Sequence, residues 1–320
     1  MGEVQKKGDA SGVLSVVIPA YNEEMMIQKT TDTVSAILSD AGIPHEIVFI
    51  NDGSRDRTWE EIEKAAKRNP SVVGVHFSRN FGKESAIFAG LAQASGDCCA
   101  VMDCDLQHPP EVLVDMYRLW QQGYEVVEGV KRSRGKENPL HKLCAKLFYK
   151  MISKAVQIDM SRASDFKLMD RKAVESLLNM PERNAFFRAL SSWVGYQKTS
   201  VEFDVREREE GESKWSPWSL VKYAITNVVA FSAVPMQLVT VAGICVLLFA
   251  GVLGVQSLMQ YFSGKAVEGF TTVILLILII GSIIMISLGI IGYYISKIYE
   301  EVKGRPRYLV SKTVGKGPKG

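Results

Sequence analysis

The sequence predicts an α/β domain with a mainly parallel sheet, followed by two membrane-spanning helices and a basic tail. Five short apolar runs alternate with helical patterns along residues 14–127, as in parallel sheets that are covered on both faces. Residues 224–296 carry only two charged side chains, Lys265 and Glu268. The last segment, 297–320, contains seven basic and two acidic residues. We therefore expect two differently built parts in one chain.

The overall composition excludes several classes of protein. The 320 residues include 38 basic and 35 acidic side chains, a formal net charge of +3, which excludes a disordered or collagen-like chain. Without its tail the chain is slightly acidic, which disfavours nucleic-acid binding. The five cysteines form no CxxC pair, which indicates buried thiols in a reducing compartment. Residues 1–12 lack the apolar region of a signal peptide and predict a flexible arm.

The predicted elements follow in regular order. Strands are predicted at 14–18, 46–50, 72–77, 98–102 and through Val126 and Val127. Helices are predicted at 23–38, 58–67 and 84–94, and another opens at Pro109-Pro110, where proline is tolerated in the first turn. In such sheets the ligand binds beyond the C-terminal ends of the strands. The polar residues that follow the strands therefore mark the candidate site.

The polar residues after the first four strands are Tyr21–Glu23, Asn51–Ser54, Ser78–Asn80 and Asp103–Asp105. Three of these four sets contain carboxylates, which indicates a site for a cation or for a polar ligand held through one. Asp103 and Asp105, spaced i and i+2 after a strand, can converge on one divalent cation, and Gln107 adds a neutral oxygen. Mg²⁺ and Mn²⁺ prefer such oxygen ligands. A DxD pair alone occurs by chance in many loops, but its position directly after an apolar strand strengthens its interpretation as a metal site. The run Asn51–Asp56, taken alone, favours a plain turn.

Two amphipathic segments and two apolar segments predict association with a membrane. Segment 139–156 fits an interfacial helix or a helix packed on the sheet equally well, whereas 215–234 favours an interfacial helix. Segments 235–259 and 270–295 are each long enough to span a bilayer, which needs roughly 20 residues. The short connection predicts a hairpin, and the basic tail at 296–320 places both termini and the domain at 13–214 in the cytoplasm.

Four ordered motifs carry a family resemblance: Val17–Glu23, Asn51–Asp56, Ser78–Lys83 and Asp103–Glu111. Together they resemble family 2 glycosyltransferases with the GT-A fold. The two apolar segments and the Arg305-Pro-Arg-Tyr308 tail are similar to the polyprenyl-phosphate glycosyltransferases of the bacterial undecaprenyl-phosphate (bactoprenol) glucosyltransferase type, which are related to dolichol-phosphate mannose synthase. The resemblance covers nearly the whole chain.

The resemblance implies roles for individual residues. The nucleotide sugar would be bound by Pro19, Tyr21, Glu23, Asp52, Lys83 and Asp103, and Mg²⁺ or Mn²⁺ by Asp103, Asp105 and Gln107. Asp105, Asp165 and Arg132 would be the catalytic residues. Asp165 matches the position of a carboxylate proposed as a base in related enzymes, and a positioning role is equally compatible with an anionic acceptor.

The acceptor would be a lipid monophosphate bound by cationic side chains. A phosphate monoester is mostly dianionic at neutral pH, so positioning matters more than a general base. Lys131, Arg132 and Arg134 follow the fifth strand. Arg206, Arg208, Ser213 and Lys214 lie in a segment that resembles the family's acceptor loop, and arginine suits forked phosphate contacts. For any single one of these residues, a solvated surface charge is the alternative.

The resemblance implies inverting transfer of one sugar from a nucleotide sugar to polyprenyl phosphate at the inner membrane, by a homo-oligomer such as a tetramer. UDP-glucose is the default donor, while N-acetylglucosamine, galactose, mannose and aminoarabinose stay open. No Arg-Trp dipeptide occurs, which disfavours polymerisation. A non-catalytic nucleotide-binding scaffold is the alternative. A transporter is disfavoured because neither apolar segment has a charged residue at its centre. A dehydrogenase and a P-loop kinase are disfavoured because their glycine motifs are missing from the sequence.

Overall fold

The computed structural model describes residues 12–132, 164–180, 182, 186–204, 234–263 and 269–316. The chain divides into two compact units, Met1–Ser216 with Arg305–Gly320, and Pro217–Gly304. The predicted amphipathic segment 139–156 lies outside the described residues, and so does segment 215–234 except for its last residue. Five residues of the predicted acceptor set also lie outside them: Arg134, Arg206, Arg208, Ser213 and Lys214. The arm at 1–11 lies outside them too.

The first unit is an α/β domain. Its strands are β1 (Leu14–Ala20), β2 (His45–Asn51), β3 (Val72–Phe77), β4 (Cys98–Val101), β5 (Val126–Lys131), β6 (Lys167–Asp170), β7 (Lys198–Phe203) and β8 (Val310–Val314). Its helices are α1 (Ile27–Asp40), α2 (Thr58–Arg68), α3 (Lys83–Gln93), α4 (Glu111–Gln121), α5 (Arg171–Leu178) and α6 (Phe187–Trp193). All five predicted strands and four predicted helices are present. The first helix begins at Ile27 rather than Glu23, because a left-handed residue, Asn22, turns the chain after β1.

The sheet is mixed and mostly parallel, as predicted. Its strand order is β7-β5-β6-β4-β1-β2-β3-β8. Strand β1 runs parallel to β2 and β4, β2 to β3, and β5 to β7, whereas β6 and β8 run antiparallel to their neighbours. The C-terminal ends of β1 to β4 therefore lie at one edge, where the loops that follow them meet.

The central strands form continuous apolar runs because helices cover both faces of the sheet. Val16, Val17 and Ile18 of β1 are fully buried. Close packing of α3 depends on Gly90, where a Cβ atom would lie 2.2 Å from Cγ1 of Val17. The core thus holds β1 and α3, which border the candidate site, in fixed positions.

The C-terminal tail contributes the outermost strand, β8, beside β3. The sequence predicts a basic cytoplasmic tail here, with a motif that resembles the bacterial family members, and no strand. The Tyr308 ring stacks on Phe77 with centroids 5.0 Å apart, and the Arg307 guanidinium lies 4.5 Å from the centre of the Phe88 ring. The strand could not be recognised from its sequence because its side chains are largely exposed and form no apolar run.

The second unit contains two long helices, α7 (Val234–Phe262) and α8 (Phe270–Val302). Among the described residues, one segment, Ile279–Val302, is long and apolar enough to cross a membrane. A shorter apolar segment, Gly243–Leu253, lies within α7. The two predicted spans therefore coincide with helices, and a hairpin that crosses the membrane twice stays a prediction.

Candidate active site

The loops after β1 and β2 interlock at the edge of the sheet. Asn22 adopts a left-handed conformation, with φ of 54°, and its backbone N–H donates to Oγ of Ser54 at 2.9 Å. Oδ1 of Asn22 accepts a hydrogen bond from the N–H of Arg55 at 2.9 Å. These bonds hold half-buried Tyr21 and Glu23, two predicted donor-binding residues, next to the second motif. Pro19, another predicted donor-binding residue, lies within β1 opposite Ile50.

Asp52 binds the loop that follows β3. Its two carboxylate oxygens accept hydrogen bonds from the N–H groups of Phe81, at 2.6 Å, and Gly82, at 2.9 Å. Burial raises the pKa of Asp52, and these hydrogen bonds oppose the shift. Asp52 thus positions the backbone just before Lys83, and its predicted contact with the nucleotide stays a prediction.

The Asp103–Gln107 turn is built around a buried left-handed residue. Leu106 has φ of 54° and is 5% exposed, so core packing holds a backbone conformation that its side chain disfavours. The N–H of Gln107 donates to Oδ1 of Asp105 at 3.1 Å. Asp103, Asp105 and Gln107 are half-buried at the edge of the sheet.

These three residues fit a hard divalent cation in the chemistry of their donor atoms, since they offer two carboxylates and an amide oxygen. The described residues contain no ready-made group of three acidic, histidine or cysteine side chains for a metal. Oδ1 of Asp103 lies 2.6 Å from Nζ of Lys83. A cation that took Oδ1 of Asp103 as a ligand would displace this ammonium.

A four-residue charge cluster joins Asp103 and the start of α3 to the residue two positions before β6 and to α6. Nζ of Lys83 also lies 3.2 Å from Oδ2 of Asp165. Arg188 donates to both oxygens of Asp165, from Nε at 2.7 Å and from Nη2 at 2.8 Å. The structure therefore brings together three predicted site residues, Lys83, Asp103 and Asp165. Arg188 joins them and is not among the residues predicted from the sequence.

The cluster changes the acid–base character of its members. Burial alone would raise the pKa of Asp165, but the charges of Arg188 and Lys83 lower it well below its ordinary value. Burial would lower the pKa of Lys83, but Asp103 and Asp165 raise it. Both groups therefore stay charged at neutral pH, and Asp165 is a weak proton acceptor.

A second buried contact fixes the helix that carries Arg188. Lys167 of β6 is fully buried, and its Nζ lies 3.1 Å from Oε1 of Glu128 and 2.7 Å from Oγ of Ser191. Asp165 and Lys167 are two residues apart, and Arg188 and Ser191 three apart, so each pair can face the same way. Two charged residues in Ser164-Asp-Phe-Lys167, directly before the apolar pair Leu168-Met169, are the sequence signal for this cluster, since buried charges need partners.

The predicted acceptor residues that the structure describes lie at the end of β5. Lys131 is exposed, and Arg132 lies 3.2 Å from Oδ2 of Asp204 with 62% of its side chain exposed. The other five residues of the predicted acceptor set fall outside the described ranges. The lipid-phosphate role of the whole set stays a prediction.

Comparison with known proteins agrees with this architecture. Residues 15–178 match the glycosyl transferase family 2. The chain is 38% identical to a glycosyltransferase of Synechocystis, over 94% of this chain and 96% of that protein. It is 37% identical to the SfII prophage-derived bactoprenol glucosyl transferase of Shigella flexneri, over 94% of this chain and 98% of that protein.

Among solved structures, mannosyl-3-phosphoglycerate synthase from Rubrobacter xylanophilus shares the fold, with a TM-score of 0.50 and 17% identity over 70% of this chain and 75% of that one. The resemblance noted in the sequence is thereby confirmed at the level of the family and of the GT-A-like fold. The chain belongs to glycosyl transferase family 2.

Proposed function

We propose that this glycosyltransferase transfers one glucose unit from UDP-glucose to a polyprenyl phosphate, with inversion, at the cytoplasmic face of the inner membrane. The observation that carries the proposal is the Lys83–Asp103–Asp165–Arg188 cluster, which lies where the polar ends of parallel strands meet. Full-length similarity to proteins named bactoprenol glucosyl transferase supports the choice of acceptor.

The donor would bind across the first three loops. Pro19, Tyr21 and Glu23 would contact the base and ribose, while Asp52 supports the loop that leads to Lys83. Asp103, Asp105 and Gln107 would hold Mg²⁺ or Mn²⁺, which acts as a Lewis acid toward the leaving diphosphate. Lys83 would add a further positive charge on the diphosphate side.

An anionic oxygen of the acceptor phosphate would be the nucleophile. Because a phosphate monoester is mostly dianionic at neutral pH, Asp165 has no proton to remove. Its contacts favour a positioning role, in which it holds Lys83 and Arg188 toward the reacting groups. Lys131 and Arg132, with the remaining residues of the predicted acceptor set, would bind the lipid phosphate.

The membrane is part of this proposal because the acceptor is a lipid. The apolar segment Ile279–Val302 supports membrane attachment, and the basic residues of the tail support a cytoplasmic placement of its C-terminal flank. A multi-pass arrangement with both termini in the cytoplasm, and assembly into a homo-oligomer, belong to the same proposal.

The direct test uses the full chain in detergent with undecaprenyl phosphate, Mg²⁺ or Mn²⁺, and a panel of nucleotide sugars. We expect UDP release that depends on the lipid, with UDP-glucose as the preferred donor. Asp105→Ala should lose this activity, whereas a non-catalytic scaffold would retain its function. Exposed Asp32→Ala is the matched control. UDP release without a lipid product under every donor would contradict the proposal.

A further inference from the structure

Lys83 lies between two carboxylates that differ in their access to solvent. Its Nζ is 2.6 Å from Asp103 and 3.2 Å from Asp165. Asp165 is 9% exposed and is also held by Arg188, whereas Asp103 is 32% exposed. Asp165 is therefore the fixed partner of Lys83, and Asp103 is the partner that an incoming ligand can reach.

The charges of this cluster balance without any ligand. Lys83 and Arg188 carry two positive charges, and Asp103 and Asp165 carry two negative ones. A divalent cation that bound Asp103 without a nucleotide would face the Lys83 ammonium at short range. Like charges repel strongly where water is partly excluded. A diphosphate that arrives with the cation restores the balance, because it gives the ammonium a new partner.

We propose that Lys83 is an exchangeable counter-ion, which occupies Asp103 in the free enzyme and releases it to a divalent cation when a nucleoside diphosphate arrives. Asp165 keeps the ammonium in the site during this exchange, since its contact with Lys83 does not involve Asp103. This inference rests on the proposed function, because it takes Asp103 as a metal ligand and a nucleoside diphosphate as the donor's leaving group.

The exchange couples the two ligands. Because Lys83 and the cation compete for Asp103, the cation should bind weakly alone and more tightly with UDP, and linkage requires that it strengthen UDP binding equally. Removal of the ammonium should relieve the competition, so that the cation binds more tightly without UDP and gains less from it.

The test measures Mn²⁺ binding by electron paramagnetic resonance, with the full chain in detergent, in the presence and absence of UDP. In Lys83→Gln we expect Mn²⁺ affinity without UDP to rise by about tenfold, and the UDP-dependent gain to shrink by a similar factor. Lys64→Gln removes an exposed ammonium on α2 and should leave both quantities unchanged.

Asp165→Asn is expected to change Mn²⁺ affinity in the opposite direction to Lys83→Gln. Without the Asp165 charge, Lys83 should hold Asp103 more strongly, so that Mn²⁺ affinity without UDP falls. A general loss of structure would weaken Mn²⁺ binding in both variants, whereas the proposal requires opposite changes. Unchanged or weaker Mn²⁺ binding in Lys83→Gln would overturn the proposal, and so would an unchanged or higher affinity in Asp165→Asn.

These outcomes are separable from the fate of the proposed function. If Lys83→Gln loses glucose transfer while its Mn²⁺ affinity stays that of the parent, the counter-ion role is overturned and the transferase function stands. If Lys83→Gln and Asp165→Asn change Mn²⁺ affinity in the expected opposite directions but the parent protein makes no lipid-linked sugar, the counter-ion role stands and the proposed acceptor is wrong.

Discussion

Arg188 binds both carboxylate oxygens of Asp165, at 2.7 and 2.8 Å. A forked contact of this kind fixes the orientation of the carboxylate as well as its charge. The same carboxylate contacts Lys83, so Asp165 links α6, which carries Arg188, to the first residue of α3. Asp165 is therefore better suited to hold two cations in place than to accept a proton.

The anchor role predicts that Arg188→Lys is nearly as harmful as Asp165→Asn. Lysine keeps the charge but cannot make the forked contact, so the geometry around Lys83 is lost. We expect kcat/KM for UDP-glucose to fall on the order of 100-fold in both variants, the loss typical of misplaced reacting groups. Steady-state kinetics measure this, with exposed Arg118→Lys as control. Full activity in Arg188→Lys with a large loss in Asp165→Asn would favour a base role.

Substitution of the buried Lys167 should destabilise the protein, whereas the same substitution of the exposed Lys172 should not. Lys167→Met would leave Glu128 buried without its cation, a change that costs about 3–5 kcal/mol. Lys172→Met removes an ammonium that is 71% exposed and 3.9 Å from Glu125, so its effect should be small. Thermal unfolding of the two variants gives the comparison. Addition of Glu128→Leu to Lys167→Met should recover part of the loss, and no recovery would contradict this account of the pair.

Two glycines with the same backbone conformation give a matched test of the loop after β3. Gly53 and Gly42 have φ of 64° and 65°, so alanine costs about 1–2 kcal/mol at either position. A Cβ atom at Gly53 would lie 2.3 Å from the backbone carbon of Arg79, whereas at Gly42 it meets nothing within 4 Å. We expect Gly53→Ala to raise KM for UDP-glucose well above that of Gly42→Ala. Equal KM values would show that the 78–82 loop does not contribute to donor binding.

Glu84 predicts a pH dependence of stability. Burial and the Asp165 charge raise the pKa of Glu84 to about 7, although the hydrogen bond from the N–H of Phe187 and the charges of Arg188 and Lys83 oppose the shift. The folded protein therefore binds a proton that the unfolded chain releases near pH 4.5. The resulting stabilisation is complete below that pH and is lost as the pH rises through about 7.

The measurement is the unfolding temperature between pH 4.5 and 7, the interval set by the two pKa values of Glu84. Glu84→Gln should flatten its decline with rising pH, because glutamine has no proton to lose. Glu60→Gln, at an exposed position of α2, should follow the parent protein. An identical slope in Glu84→Gln and the parent would show that Glu84 does not titrate in this interval.

The parts of the fold that the sequence predicted are those with strong local patterns. The first five strands are apolar runs, and the polar residues after them meet at one edge because parallel strands end together. Arg188 could not be inferred in this way, since it lies on a seven-residue helix 23 positions after its partner Asp165. Strand β8 was missed because its exposed side chains follow α8, far along the chain from β3.

The proposed function requires that this site join one hexose to a lipid phosphate. Mass spectrometry of the lipid extracted after incubation with UDP-glucose, undecaprenyl phosphate and Mg²⁺ or Mn²⁺ tests it most directly. The account predicts a product heavier than the acceptor by one hexose unit, formed by the parent protein and lost in Asp105→Ala. Absence of that product with UDP-glucose and every other nucleotide sugar, or a series of products with several hexose units, would contradict it.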